Sequence, residues 1–377
     1  MKSPLSISIA LLVACGDGSS TAEGGGTTGG TLPDTDGSST SSTSVSSTDP
    51  TSGPSTTATS TTGEESSSGS GASSGSDSSG GPSGTGLGID GEQLTWNGVP
   101  TFFVGVSYFD ARAWRESDFD GLADRGWNLV RVWLDWGKIG LFGADGALTP
   151  EGLGILTALV DAAAARDIVV DVTILDPGLV FTPDLDHRIA AVQSVATALG
   201  DRTNVFYDVM NEHDHGKGPI DHAEAATIVA ALREIDADAI VTLSSTGGHL
   251  VGDDATVQVE SVDAETDEVG VDIVTPHLPR TADWFDQTDV RVTALRGHLQ
   301  SRGLVLPIYL QEEARRGHSG LEPSEAEFVQ SAGEAQGAGA AAWIFHTDAG
   351  FDLAAASFFD ALDEVEVAVI DNLPGTL

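Results

Sequence analysis

Cysteine occurs once in the 377 residues, at Cys15. No internal disulfide, thiolate metal site or cysteine nucleophile is therefore open to the chain beyond it. Cations are also scarce, with 17 Lys plus Arg against 57 Asp plus Glu and a formal charge of −40. A field of that sign repels nucleic acid phosphates and anionic lipid surfaces, so a neutral partner fits better, although excess carboxylate also serves solubility alone. A membrane-spanning run is missing too: the apolar stretch 5–14 is too short to cross a bilayer.

That stretch follows Lys2 and ends in Leu12-Val13-Ala14-Cys15. A positive start, a short apolar run and a small-residue site read as a targeting segment, and the four residues resemble a bacterial lipobox, in which the cysteine is lipidated. Residues 1–15 are thus expected to be a lipoprotein leader, with Cys15 its lipidation site and the only membrane contact. Gly16 rather than Asp after the cysteine favours export to the outer membrane or cell surface, or secretion. Residues 16–88 are so rich in Ser, Thr and Gly that they can bury no core, and read as a disordered, solvated tether.

Residues 89–377 remain for one domain, close to the roughly 250 residues of a (β/α)8 barrel. Eight apolar runs recur there, at 102–107, 129–134, 168–174, 205–210, 239–243, 271–275, 307–311 and 341–345. Near-continuous Val, Ile, Leu and Phe is how parallel strands buried on both faces read. Helical stretches at 152–166, 187–199, 223–235 and 324–336 lie between them, so the expected fold is a single α/β domain, a (β/α)8 TIM barrel. The stretch 249–270 is irregular and acidic, and its helix is expected to be short, displaced or absent.

Barrel enzymes assemble their sites at the carboxyl ends of the strands. Asn211-Glu212 ends the fourth run and Glu312-Glu313 the seventh. Glycosidic cleavage needs two carboxylates, one to protonate the leaving oxygen and one to attack the anomeric carbon or activate water. Asn211-Glu212 closing one strand, with Pro307 through Glu312 closing another, resembles the family 5 glycoside hydrolases and their clan. The resemblance covers nearly all of 89–377. It implies that Glu212 is the acid/base, that Glu312 is the nucleophile, and that Asn211 binds the sugar 2-hydroxyl. It further implies that Arg131 keeps the nucleophile ionised, that His277 is the strand-six histidine, and that Trp343 is the strand-eight tryptophan on which a sugar stacks. Trp114, Trp133 and Trp136 are further sugar platforms or, equally, packing residues.

Glu313 competes with Glu312; the spacing from Pro307 and strand alternation, which puts Glu312 on the face of Ile308 and Leu310, favour Glu312. Three departures from the family stand out. Thr173 replaces a frequent histidine, Pro279 replaces the tyrosine that usually bonds the nucleophile, and Glu313-Ala314 replaces Phe-Gly. Arg280 or Tyr108 could fill the tyrosine's space. The expected activity is retaining hydrolysis of β-linked mannan or glucan by a cofactor-free monomer outside the cell; the alternative is a barrel that binds sugar without turnover. His213, His215 and His222, with Asp214 and Asp221, could ligate a metal, but they lack helical spacing, and no metal is expected.

Overall fold

The computed structural model describes residues 85–377 apart from 136–139, 177, 179–181, 217–218, 247–249, 252–255 and 258. Cys15, the leader, the tether through residue 84 and Trp136 lie outside the described residues.

The described chain opens with an antiparallel meander, β1 Leu87–Asp90, β2 Gln93–Trp96 and β3 Val99–Pro100. Six parallel-sheet strands follow the apolar runs: β4 Phe103–Asp110, β5 Leu129–Trp133, β6 Val169–Leu175, β7 Val205–Met210, β8 Val241–Thr242 and, after a two-strand hairpin of β9 Leu250–Val251 with β10 Thr256–Val257, β11 Tyr309–Leu310. The last is β12 Ala342–Phe345, and the sheet runs β11-β12-β4-β5-β6-β7-β8. All its pairs are parallel.

The expected sixth barrel strand, 271–275, forms only isolated parallel bridges, Thr242 with Ile273 and Val274 with Ile308. These bridges still join β8 to the strand segment ending in β11, so the sheet curls into a (β/α)8-type barrel. Helices α1 Glu116–Ala123, α2 Pro150–Ala164, α3 Leu185–Leu199 and α4 His222–Arg233 cover its first half. In 249–270 the helix is short, α5 Val259–Ala264, and runs into a π turn, Glu265–Val269. Helices α6 Thr288–Ser301, α7 Glu325–Gly337, α8 Phe358–Ala361 and α9 Glu364–Asn372 complete the ring. Their starts are written locally: Thr149 accepts from the Gly152 amide before α2, and Ser324 and Glu327 cap α7 reciprocally.

Strand alternation divides the core in two. Val130, Val132, Val170 and Val172 pack outward among the helices. Leu129, Val169, Phe206, Ile273, Tyr309 and Ile344 pack inside the barrel, joined by Leu94 of β2, which plugs the end where the strands begin. At the opposite end the inward positions stop being apolar: Arg131, Asp171, Thr173 and Asp208 succeed Leu129, Val169 and Phe206, and all four are buried.

Candidate active site

Arg131 is fully buried and its guanidinium organises this polar layer. Nη1 donates to Glu312 Oε1 at 2.5 Å, Nη2 to Asn211 Oδ1 at 2.7 Å and Asp208 Oδ2 at 3.1 Å, and Nε to Thr173 Oγ1 at 3.0 Å. Asp171 Oδ2 lies 3.6 Å from Nε. Thr173, in place of a histidine, thus serves as an acceptor for the arginine. A lone buried cation is prohibitively costly, so the surrounding carboxylates are what permit it. They raise the Arg131 pKa against the burial that lowers it.

Glu312 holds a donor on each oxygen, since Arg280 Nη2 donates to Oε2 at 2.9 Å. Burial alone would raise its pKa, but His277, Arg131 and Arg280 outweigh burial and hold it well below the ordinary carboxylate range. The neighbouring Glu313 is pushed up to about 7 by burial, with Arg291 and Arg280 opposing only in part. Two consecutive glutamates are thereby set apart in charge state.

Glu212 has φ +45°, a left-handed conformation that costs a non-glycine residue about 1–3 kcal/mol. Ser244 secures it: its hydroxyl accepts the Glu212 amide at 3.1 Å and donates to Asp208 at 2.9 Å, while its carbonyl accepts the His213 amide at 3.0 Å. The left-handed turn breaks the period of two, so Asn211 and Glu212 both reach the mouth.

Gln311 Nε2 donates to Asp171 at 2.7 Å and Asp208 at 3.0 Å, so its Oε1 is the atom that faces His277 Nε2 at 3.0 Å. That nitrogen must carry hydrogen. Nδ1 then faces Glu212 Oε1 at 3.0 Å and Glu312 Oε2 at 3.7 Å. Burial disfavours a charged His277, but Glu312 and Glu212 prevail and raise its pKa. One oxygen of Glu212, one of Glu312 and a nitrogen of His277 all lie within 4.8 Å of one another.

The structure thus brings Arg131, Asn211, Glu212, His277, Arg280 and Glu312 together. Trp133 reaches the same end, stacked on Phe109 at 4.5 Å with the Arg131 guanidinium 5.2 Å from its ring centre. Two expectations are corrected. Trp343 is wholly buried and points at α7, its Nε1 3.3 Å from Ser331 Oγ, so no sugar can stack on it. Tyr108 is also buried and commits its hydroxyl to Asp118 at 2.8 Å, whereas Arg280 is the residue of the two that bonds Glu312. Trp114 stacks on Phe119 at 5.7 Å. The alternation reasoning for Glu312 also fails: Ile308 and Leu310 face the helices, and Glu312 turns inward because β11 ends at Leu310.

Asp171, Asp208, Ser244, Gln311 and His346 were missed. The first two were visible as single charges inside apolar runs. His346 is the next inward position after Ile344; buried there, it has a pKa held well below its usual value by burial. The histidine-rich loop divides, with His213 turning from the mouth to Glu265 at 3.3 Å.

A parallel barrel with two glutamates and a buried arginine at the carboxyl ends of its strands is the arrangement of a glycoside hydrolase. The family model for cellulase (glycosyl hydrolase family 5) matches residues 87–340, and the chain belongs to that family. It is 27% identical over 127 residues to the endoglucanase MaCel5A of Microbulbifer sp. strain ALW1, a match covering 31% of this chain and 24% of that protein. The match spans only about a quarter of that relative's length. Among solved structures, the endo-1,4-β-mannanase of Rhizomucor miehei superposes with a TM-score of 0.56 at 15% identity, over 77% of this chain and 99% of the other. The endo-1,4-β-mannanase of Eisenia fetida gives 0.55 at 19% identity, over 78% and 96%. At such identities these two establish the fold.

Proposed function

We propose that the enzyme cuts β-linked mannan or glucan by double displacement with retention at the anomeric carbon. The observation that carries this reading is the closeness of the two carboxylates, one oxygen of Glu212 lying within 4.8 Å of one of Glu312, with both facing His277 Nδ1. Retaining enzymes hold their carboxyl groups about 5–5.5 Å apart, whereas inverting ones need about 6.5–9.5 Å to admit a water.

Glu312, kept ionised by Arg131, Arg280 and His277, attacks the anomeric carbon as Glu212 protonates the departing glycosidic oxygen. The leaving sugar departs and a glycosyl ester remains on Glu312. Glu212 then takes a proton from the water that attacks the same carbon, and Glu312 is released. His277 faces both glutamates through one nitrogen: with Nε2–H committed to Gln311, Nδ1 stands 3.0 Å from Glu212 Oε1 and 3.7 Å from Glu312 Oε2. With the Asn211 carbonyl committed to Arg131, its amide NH2 is left to donate to a sugar hydroxyl beside the nucleophile.

The substrate class rests on what the relatives are, an endoglucanase and endo-1,4-β-mannanases. The leader pattern supports a domain held outside the cell through Cys15 and its tether. A reducing-sugar assay of the full chain on β-mannan, β-glucan and xylan, with Glu212→Gln and Glu312→Gln alongside, tests the activity. Release from one polymer, lost in both variants, is expected. Sugar binding by a folded wild type that turns over none of them would instead identify a non-catalytic binder.

A further inference from the structure

His213 follows Glu212 directly, yet its ring is buried on the side away from the mouth. Its Nε2 lies 3.3 Å from Glu265 Oε1, and its Nδ1 lies 3.4 Å from the Ile220 carbonyl. His222, the first residue of α4, brings its ring centre to 5.0 Å from that of His213, at 58°. One ligand-type atom from each of His213, His222 and Glu265 lies within 4.8 Å of the other two. The three residues come from separate segments: the end of β7, the start of α4 and the π turn Glu265–Val269.

Around a tetrahedral zinc with bonds of roughly 2.0–2.2 Å, ligand atoms stand roughly 3.3–3.6 Å apart. The His213–Glu265 separation of 3.3 Å is already one such edge, and the third ligand atom lies within 4.8 Å of both. Two imidazoles and a carboxylate suit zinc better than calcium or magnesium, which favour all-oxygen shells. The Ile220 carbonyl supplies the backbone acceptor that commonly fixes the tautomer of a ligating histidine, leaving Nε2 for the metal. We propose that His213, His222 and Glu265 form a zinc site, completed by a water. The ion would tie β7 to α4 and the π turn one residue from Glu212, and so position the acid/base without touching substrate.

The test uses the purified full chain, stripped with chelator and then titrated with Zn2+. Bound zinc per chain is measured after gel filtration, and Co2+ serves as a tetrahedral absorption probe. One ion per chain and a higher Tm with zinc are expected. Affinity should fall more than about a hundredfold in His222→Ala and Glu265→Gln, beyond the loss typical of outer-shell changes. It should be kept in Glu212→Gln, which removes a ligand from the other convergent triad, Glu212, His277 and Glu312. Wild-type protein that binds no zinc overturns the proposal whatever the variants do. So does binding that survives His222→Ala and Glu265→Gln but is lost in Glu212→Gln, which would move the ion to the mouth.

Discussion

Replacing Arg280 by glutamine removes one cation from Glu312 while keeping a side chain able to donate a hydrogen bond. The guanidinium lies 2.9 Å from Glu312 Oε2, and its side chain is 23% exposed. An opposite charge at such range lowers a carboxyl pKa by about 1–3 units, each worth about 1.4 kcal/mol. Solvent access to Arg280 places the effect toward the lower half of that span. Arg131 still donates to Oε1, so Glu312 remains depressed but less so. As nucleophile it must be ionised, and the acid limb of kcat/KM against pH reports its titration in the free enzyme. In Arg280→Gln that limb should move up by about 1–2 units, and in Arg280→Lys by less. The assay is kcat/KM from pH 3 to 9, with circular dichroism confirming the fold at each pH. A uniform fall in kcat/KM at all pH values, with the limb unmoved, would refute the reasoning and assign Arg280 to substrate contact instead.

Asp171 and Glu313 each have a folded pKa raised to about 7. Both prefer to keep a proton in the folded state, so their cost to stability grows as pH rises from about 4 through 7, by at most about 4 kcal/mol each. His277, also raised, stabilises below its unfolded pKa and loses that contribution as pH rises through its folded pKa, in the same direction. Tm should therefore be higher at pH 5.5 than at pH 8; a flat profile across that window would contradict these charge assignments. Glu313→Gln mimics the neutral form and is expected to keep activity and to match or exceed wild-type Tm at pH 8; loss of turnover there would make Glu313 the nucleophile. Leu94→Ala opens a cavity in the plug at the far end of the barrel, costing about 2–5 kcal/mol. Denaturant unfolding should show that loss with kcat retained at 25 °C, whereas a cost below about 1 kcal/mol would mean that the meander does not seal the core.

The barrel was legible because parallel strands buried on both faces leave near-continuous apolar runs, and seven of the eight expected runs contain a strand of the barrel sheet. The run 271–275 lies in the sixth strand's place but makes only bridges. Glu212, Glu312, Asn211 and His277 were legible because each closely follows such a run, and Arg131 because it is a single cation inside one. Trp343 follows alternation against the family resemblance: Ile344 is inward, so Trp343 is outward and His346 is the residue that faces in. The φ of Glu212 and the inward turn of Glu312 break the period of two, and no local pattern encodes those breaks. Contacts such as His213 with Glu265, 52 positions apart, depend on the π turn and leave no trace in spacing.

The most direct test of double displacement is to trap its intermediate. The full chain would be incubated with 2-deoxy-2-fluoro β-mannoside and β-glucoside derivatives bearing a good leaving group, and the labelled peptide mapped by mass spectrometry. A single glycosyl ester on Glu312, formed as activity is lost, is the expected result. A label on Glu313, or turnover of a natural polymer with the inverted anomer as first product, would contradict the mechanism.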